Sequence, residues 1–154
     1  MSDVLGRTIG AVDILPVNKS PVSVCGNAVT VCVRAGDNLM IHKALQILQS
    51  GDVLVVDGGG DISRALFGEI MMTVAKSNGA VGAVIDGAIR DVDSFETHQF
   101  PCWARGVNMR GPHKDGPGSI NIPISIGGMV INPGDIILGD CDGIIALSPA
   151  DALL

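Results

Sequence analysis

Apolar positions fall into short blocks with two different spacings. Residues 22–34 read VSVCGNAVTVCVR, a valine-rich β-prone run interrupted at Gly26-Asn27, which predicts one strand with a bulge or two strands around a tight turn. From 38 to 49, Ile41, Ala44, Leu45 and Leu48 recur at helical spacing, with Asp37 or Asn38 as a cap and Gly51-Asp52 as the stop. VLVV at 53–56 is a continuous apolar strand of the kind covered on both faces, and it runs into DGGGD at 57–61. A second helix is expected within 62–78, ended by Gly79. The next buried strand is AVGAVI, ending at Ile85, after which Asp86-Gly87 suits a tight reversal. The strand–helix–strand spacing fits a parallel crossover.

The text then changes character. From Pro101 onward, CWAR, SINIPISI, MVI, DIIL and GIIAL are separated by GPHKDGPG, GG, NPGD and GDCDG, a pattern of hairpins and curved strands. Residues 148–151 (SPAD) resemble a helix start. The expected fold class is α/β, a parallel βαβ core with a β-rich C-terminal half, in a single domain over 1–154. Ligands in open α/β sheets sit beyond the carboxyl ends of strands. Two such ends carry polar chemistry here: DGGGD at 57–61 and DGAIRD at 86–91.

Charge narrows the partners. A net charge of -6 with ten lysines and arginines, none of them in runs, argues against nucleic acid, because neutralising phosphates needs clustered cations. One Trp, three Phe and no Tyr leave no base-stacking platform and require an aliphatic core. No apolar run reaches the roughly 20 residues of a membrane span, and no signal peptide is legible, so a cytoplasmic protein with no membrane contact is expected. Cys25, Cys32, Cys102 and Cys141 lack C-x-x-C spacing and are read as reduced, mostly buried thiols.

The two loops admit competing chemistry. In DGGGD, no G-K-[ST] follows and Ser63 stands where G-x-G-x-x-G needs its last glycine, which leaves a strand-to-helix connection or a backbone cradle for a small carboxylate. Gly68, Glu69, Ile70 and Met71 lie either inside a helix, with Ile70 in the core, or at its start, with unpaired amides facing the strand ends. Arg90 and Asp91 form a surface charge pair, or share one cavity where arginine grips a carboxylate or enolate and aspartate holds a divalent metal. His42, His98 and His113 show no metal-ligand spacing, and His42 reads as a packing or capping group. Ser63 has no nucleophile-elbow context.

Taken together, AGDNLMIHKAL, GDVLVVDGGGD, ALFGEI, AKSNGAVGAVIDGAIRDVDSF and NPGDIILGDCDGIIAL resemble one family over about 22–148. It comprises the regulator-of-ribonuclease-activity-A-like proteins and the 4-hydroxy-4-methyl-2-oxoglutarate aldolases, some formerly labelled demethylmenaquinone methyltransferase-like. The resemblance implies a swivelling β/β/α domain like the phosphohistidine domain, assembled as a homotrimer or a dimer of trimers with sites at subunit interfaces. It implies a G-x-x-L turn whose amides bind pyruvate, here Gly68 to Met71 with Met in place of Leu. Arg90 would bind substrate, Asp91 would hold Mg²⁺ or Mn²⁺ directly, and Glu69 would reach the metal through water. Regulator-type members that inhibit ribonuclease E lack the acid after the arginine; this chain keeps it. The expected activity is therefore class II type cleavage of a short 2-oxo acid to pyruvate, with oxaloacetate decarboxylation through the same enolate. The alternative is a non-catalytic regulator of a ribonuclease or RNA helicase.

Overall fold

The computed structural model describes residues 3–7 and 9–153. Its elements run β1 (Leu15–Pro16), β2 (Val24–Val33), α1 (Leu39–Leu45), β3 (Asp52–Asp57), β4 (Ala65–Phe67), α2 (Glu69–Ser77), β5 (Gly82–Ile89) and α3 (Val92–Thr97). Then follow β6 (Cys102–Val107), β7 (Gly118–Ile120), β8 (Ile124–Ile126), β9 (Met129–Ile131), β10 (Ile136–Asp140), β11 (Gly143–Leu147) and a short 3-10 turn, Asp151–Leu153. The expected α/β class holds, with a parallel centre and β hairpins after it.

The main sheet is ordered β1-β6-β5-β3-β2-β10-β11. Its centre, β6-β5-β3-β2, is parallel, whereas β1, β10 and β11 join antiparallel. The two edges bend toward each other: the Ala11 N–H, just ahead of β1, donates to the Ile144 carbonyl of β11 at 3.1 Å. Across the interior, Trp103 Nε1 of β6 donates to the Asp140 carbonyl of β10 at 2.9 Å. The sheet therefore curls into a nearly closed barrel.

Alternation along the strands divides the core in two. Val53, Val55 and Val84 point inward with Ile14, Trp103, Ile137 and Ile144, and the β8-β9 hairpin adds Ile124, Ile126, Met129 and Ile131. Leu54, Val56, Ala83 and Ile85 point outward beneath the helices, against Ile41, Leu45, Met72, Ala75 and Phe95. With few aromatics, the aliphatic residues carry this burial, as their abundance required.

Several local expectations change. Residues 24–33 form one strand with an even register against β3 and β10, so Gly26 marks neither a turn nor a bulge. A Cβ on Gly26 would lie 2.4 Å from the Gly51 carbonyl and 2.8 Å from Val53 Cγ2, so the glycine permits close backbone approach. Helix α1 stops at Leu45, short of Gln49, as Gln46 and Ile47 donate to carbonyls three residues back. Asp86-Gly87 is no reversal: β5 continues to Ile89, and its register against β6 shifts between Ile85 and Ala88. The cysteines are not mostly buried, because only Cys102 is; Cys32 is intermediate, and Cys25 and Cys141 are exposed.

Gly26→Ala is expected to destabilise the fold by about 1–3 kcal/mol, since a backbone carbonyl stands where the methyl must go; an unchanged thermal midpoint would contradict the packing. Thiol titration of the native protein should modify Cys25 and Cys141 first. Burial pushes the Cys102 thiol far up, so it should react only after denaturant is added.

Candidate active site

Strand β4 lies parallel to the last stretch of β5, pairing Ala65 with Ala88 and Phe67 with Ile89. The two strands end side by side, and the Arg90 N–H donates to the Phe67 carbonyl at 3.0 Å. Beyond that pairing, Gly68 caps α2 while Arg90 and Asp91 leave β5. The starting-helix reading of 68–71 is the observed one, and Ile70 is 80% exposed instead of buried.

Asp91 adopts a left-handed conformation, φ 59 and ψ 43, as the cap of α3. That conformation costs an L-residue roughly 1–2 kcal/mol, less for Asp and Asn than for most. The bend turns its carboxylate toward α2, where Oδ2 accepts the Glu69 N–H at 3.0 Å. A carboxylate at a helix N-terminus is favoured by the unpaired amides and the dipole. Gly68 is required for this approach, because a Cβ there would lie 2.8 Å from Asp91 Oδ2 and 3.2 Å from Arg90 Cγ. Asp91 Oδ1 has no hydrogen-bond partner among the described residues.

The Ile70 and Met71 amides precede the first helical bond, Met72 N–H to the Gly68 carbonyl at 2.9 Å, and find no acceptor among the described residues. Among the described residues, Arg90 makes no ion pair, and its one side-chain hydrogen bond is a long 3.5 Å bond from Nη1 to the Met109 carbonyl. Its guanidinium therefore keeps most of its donors for a ligand. Gly68, Glu69, Ile70, Met71, Arg90 and Asp91 all line one cavity of about 140 Å³.

Further residues reach that cavity: Asn38, His42, Pro112 and Lys114. Asn38 is 3% exposed; its Nδ2 donates to the Leu66 carbonyl at 3.1 Å and contacts Met71 Sδ at 3.4 Å. Its Oδ1 is buried with no partner among the described residues, an acceptor left over on a cavity wall. His42 is a wall residue and not simply packing; desolvation, then the nearby Lys114 charge, lowers its pKa and keeps the ring neutral at pH 7. Asn38, at the cap of α1, and His42 stand four apart, a same-face spacing visible in sequence. Lys114 carried no such signal, since long-range loop docking brings it there.

The glycine loop does not contribute. Gly58 and Gly60 amides donate to the Asp86 carbonyl at 3.2 and 3.1 Å, and the Gly59 amide to Asp57 Oδ1 at 2.9 Å. With its amides committed, the loop is no carboxylate cradle, and it leads to β4 before any helix. The buried Asp86 instead pairs with the partly exposed Arg105, Nε to Oδ1 at 2.7 Å. Among the described residues, three metal-ligating groups come within one ion's reach only at Asp140, Cys141 and Asp142, all exposed in the β10-β11 turn and outside the cavity.

A family model described as RraA-like: Aldolase/RraA matches residues 1–146. The chain is 43% identical over 148 residues to a Halalkalibacterium halodurans protein named "Putative 4-hydroxy-4-methyl-2-oxoglutarate aldolase", covering 96% of this chain and 70% of that one. Among solved structures, it resembles the RNA-processing inhibitor RraA from Thermus thermophilis, with a TM-score of 0.84, 28% identity, and coverage of 96% and 89% of the two chains. It also resembles a structure described as an S-adenosylmethionine: 2-dimethylmenaquinone methyltransferase from Geobacillus kaustophilus, with a TM-score of 0.85, 26% identity, and coverage of 96% and 93%. By the family match over most of its length and the 43% identical relative, this chain belongs to the RraA-like, Aldolase/RraA family.

Proposed function

We propose that the chain is a divalent-metal-dependent carbon–carbon lyase that releases pyruvate from a short 2-oxo acid of the 4-hydroxy-4-methyl-2-oxoglutarate type and decarboxylates oxaloacetate. The observation that carries this reading is the convergence on one small cavity of an arginine without an ion pair, a half-engaged aspartate and two helix amides without acceptors among the described residues. Asp91 Oδ1 is a hard oxygen of the kind Mg²⁺ or Mn²⁺ takes. With no trio of ligand groups there among the described residues, such a cation would keep several waters, as Mg²⁺ commonly does, and Glu69 would reach it through one. When bound, the cation supplies Lewis-acid polarisation of the substrate's carboxylate and keto oxygens.

The protein's own groups do the rest. Arg90 offers a planar fork to the substrate carboxylate, and the Ile70 and Met71 amides face the developing oxyanion. As the C3–C4 bond breaks, its electron pair moves into the enolate of pyruvate, and the 4-hydroxyl loses its proton as the departing carbonyl forms. Neutral His42 on the cavity wall is a group able to take that proton. A cavity water then protonates C3 to complete pyruvate. With oxaloacetate, the same enolate forms as CO₂ leaves.

The exposed side chains of Ile70 and Met109, 80% and 88% accessible, flank Arg90 and Asp91 with apolar surface. Such surface suits a second copy closing the cavity, in the homotrimer or dimer of trimers that the family resemblance implies. A non-catalytic regulator is the second reading, favoured by the likeness to the Thermus inhibitor. It leaves the free oxygen of Asp91 without a use.

Pyruvate release from both substrates should require Mg²⁺ or Mn²⁺ and stop with EDTA. Asp91→Asn and Arg90→Ala should each lower kcat/KM by about 100-fold or more, the scale of losing an oxyanion donor. Absent or metal-independent turnover would reject the lyase, and tight ribonuclease binding without turnover would favour the regulator. Gly68→Ala should also reduce turnover, by about tenfold or more, because its methyl displaces the Asp91 carboxylate; full activity would show that this contact does not set the metal ligand.

A further inference from the structure

We propose that Asp37 is a positioning residue, whose buried carboxylate latches the 111–117 loop to the start of α1 so that Lys114 faces the same cavity as Asn38 and His42. This rests on that cavity being the lyase site. Asp37 has no accessible surface, and both of its oxygens are engaged. Oδ1 accepts the Leu39 N–H at 3.0 Å, at the first turn of α1. Oδ2 accepts the Asp115 and Gly116 amides at 2.7 and 2.9 Å, immediately after Lys114, and pairs with Arg34 Nη2 at 3.4 Å.

The main chain reinforces the junction. The Asn38 N–H donates to the His113 carbonyl at 2.9 Å, and the His113 N–H to the Gly36 carbonyl at 2.8 Å. One carboxylate thus bridges the wall carrying Asn38 and His42 to the loop carrying Lys114. From 111 to 117 only Gly116 is buried, so the loop has little apolar packing and is held by polar contacts: these, an Arg64 Nη1 bond to the Gly111 carbonyl at 2.7 Å, an Arg34 N–H bond to the Pro117 carbonyl at 3.4 Å and an Arg34–Asp115 pair at 3.7 Å. Burial pushes the Asp37 carboxyl up, but the three amides and Arg34 together outweigh it and hold it below the usual carboxylate range, ionised at neutral pH. Asparagine cannot replace it without penalty: a single carbonyl oxygen serves one side of the latch and turns an NH₂ toward donors on the other.

Arg90, Asp91 and the α2 amides stand on elements that Asp37 does not touch. Loss of the latch should therefore weaken substrate capture more than it slows chemistry. Steady-state kinetics of Mg²⁺-dependent oxaloacetate decarboxylation provide the test, with Asp37→Ala, Asp37→Asn, Lys114→Ala and the Asp37→Ala/Lys114→Ala pair. Asp37→Ala and Lys114→Ala should each raise KM about tenfold with kcat changed by less than about threefold. The pair should cost little beyond either single change, as expected when one residue acts through the other. Asp37→Asn should fall between wild type and Asp37→Ala. An unchanged KM in Asp37→Ala, or additive losses in the pair, would overturn the proposal.

Calorimetric binding of Mg²⁺-oxalate, an analogue of the pyruvate enolate, separates this inference from the reading beneath it. If the wild type binds oxalate without turning over oxaloacetate, the lyase reading fails. In that case, an affinity about tenfold weaker in Asp37→Ala and Lys114→Ala still supports the latch, and an unchanged affinity overturns it. Absence of oxalate binding by the wild type overturns both.

Discussion

Three residues of β4 run parallel beside the end of β5, and their backbone pairing fixes where both chains leave the sheet. The Arg90 N–H is tied to the Phe67 carbonyl, so the residues that follow each strand emerge as neighbours despite twenty-two positions between Gly68 and Arg90 in sequence. From that junction, one helix presents its free amides and one bend presents its carboxylate. Had β4 been absent, α2 would have no fixed direction relative to Asp91, and the Glu69 amide would not meet the aspartate oxygen. The bulge in β5 belongs to the same construction: β5 pairs evenly with β3 through Asp86, and beyond the bulge it takes up β4 at Ala88 and Ile89.

Two buried carboxylates brace the surroundings by the same physics. An ionised group excluded from water persists only where hydrogen bonds and an opposite charge replace its solvation. Asp86 has Arg105 Nε at 2.7 Å and the Gly127 amide at 3.4 Å, which ties the sheet to the β8-β9 hairpin. Asp37 has three amides and Arg34. Each carboxylate converts a polar loop into a fixed wall without adding apolar surface, which suits a chain so poor in aromatics.

Much of this was legible in sequence wherever the physics is local. The valine runs announced the parallel strands, Gly79 the end of α2, and the order of blocks the α/β class. The cluster of 68–71 with Arg90 and Asp91 was legible only through family resemblance, because spacing alone left a surface ion pair equally reasonable. What failed was local reading of features with long-range causes. Gly26 looked like a bulge or a turn because no sequence window shows the Gly51 carbonyl pressing against it. Asp86-Gly87 looked like a reversal because the strand's continuation depends on distant partners, the end of β6 and β4, whose three residues are too few to signal a strand. Lys114 was invisible as a wall residue because a carboxylate seventy-seven positions earlier places it.

The left-handed backbone at Asp91 bears on how such a chain can diverge. That conformation admits glycine, asparagine and aspartate far more readily than other residues, so the fold itself restricts what can stand there. Among those three, only aspartate brings a hard anionic oxygen to the cavity. A lineage could therefore exchange it for asparagine or glycine, keep the bend, the helix start and the sheet, and be left with the same architecture without that oxygen. With the role proposed for Asp91, catalyst and scaffold are separable at a single position by a change that the backbone already permits, which gives a physical route by which one fold can hold enzymes and binding proteins side by side.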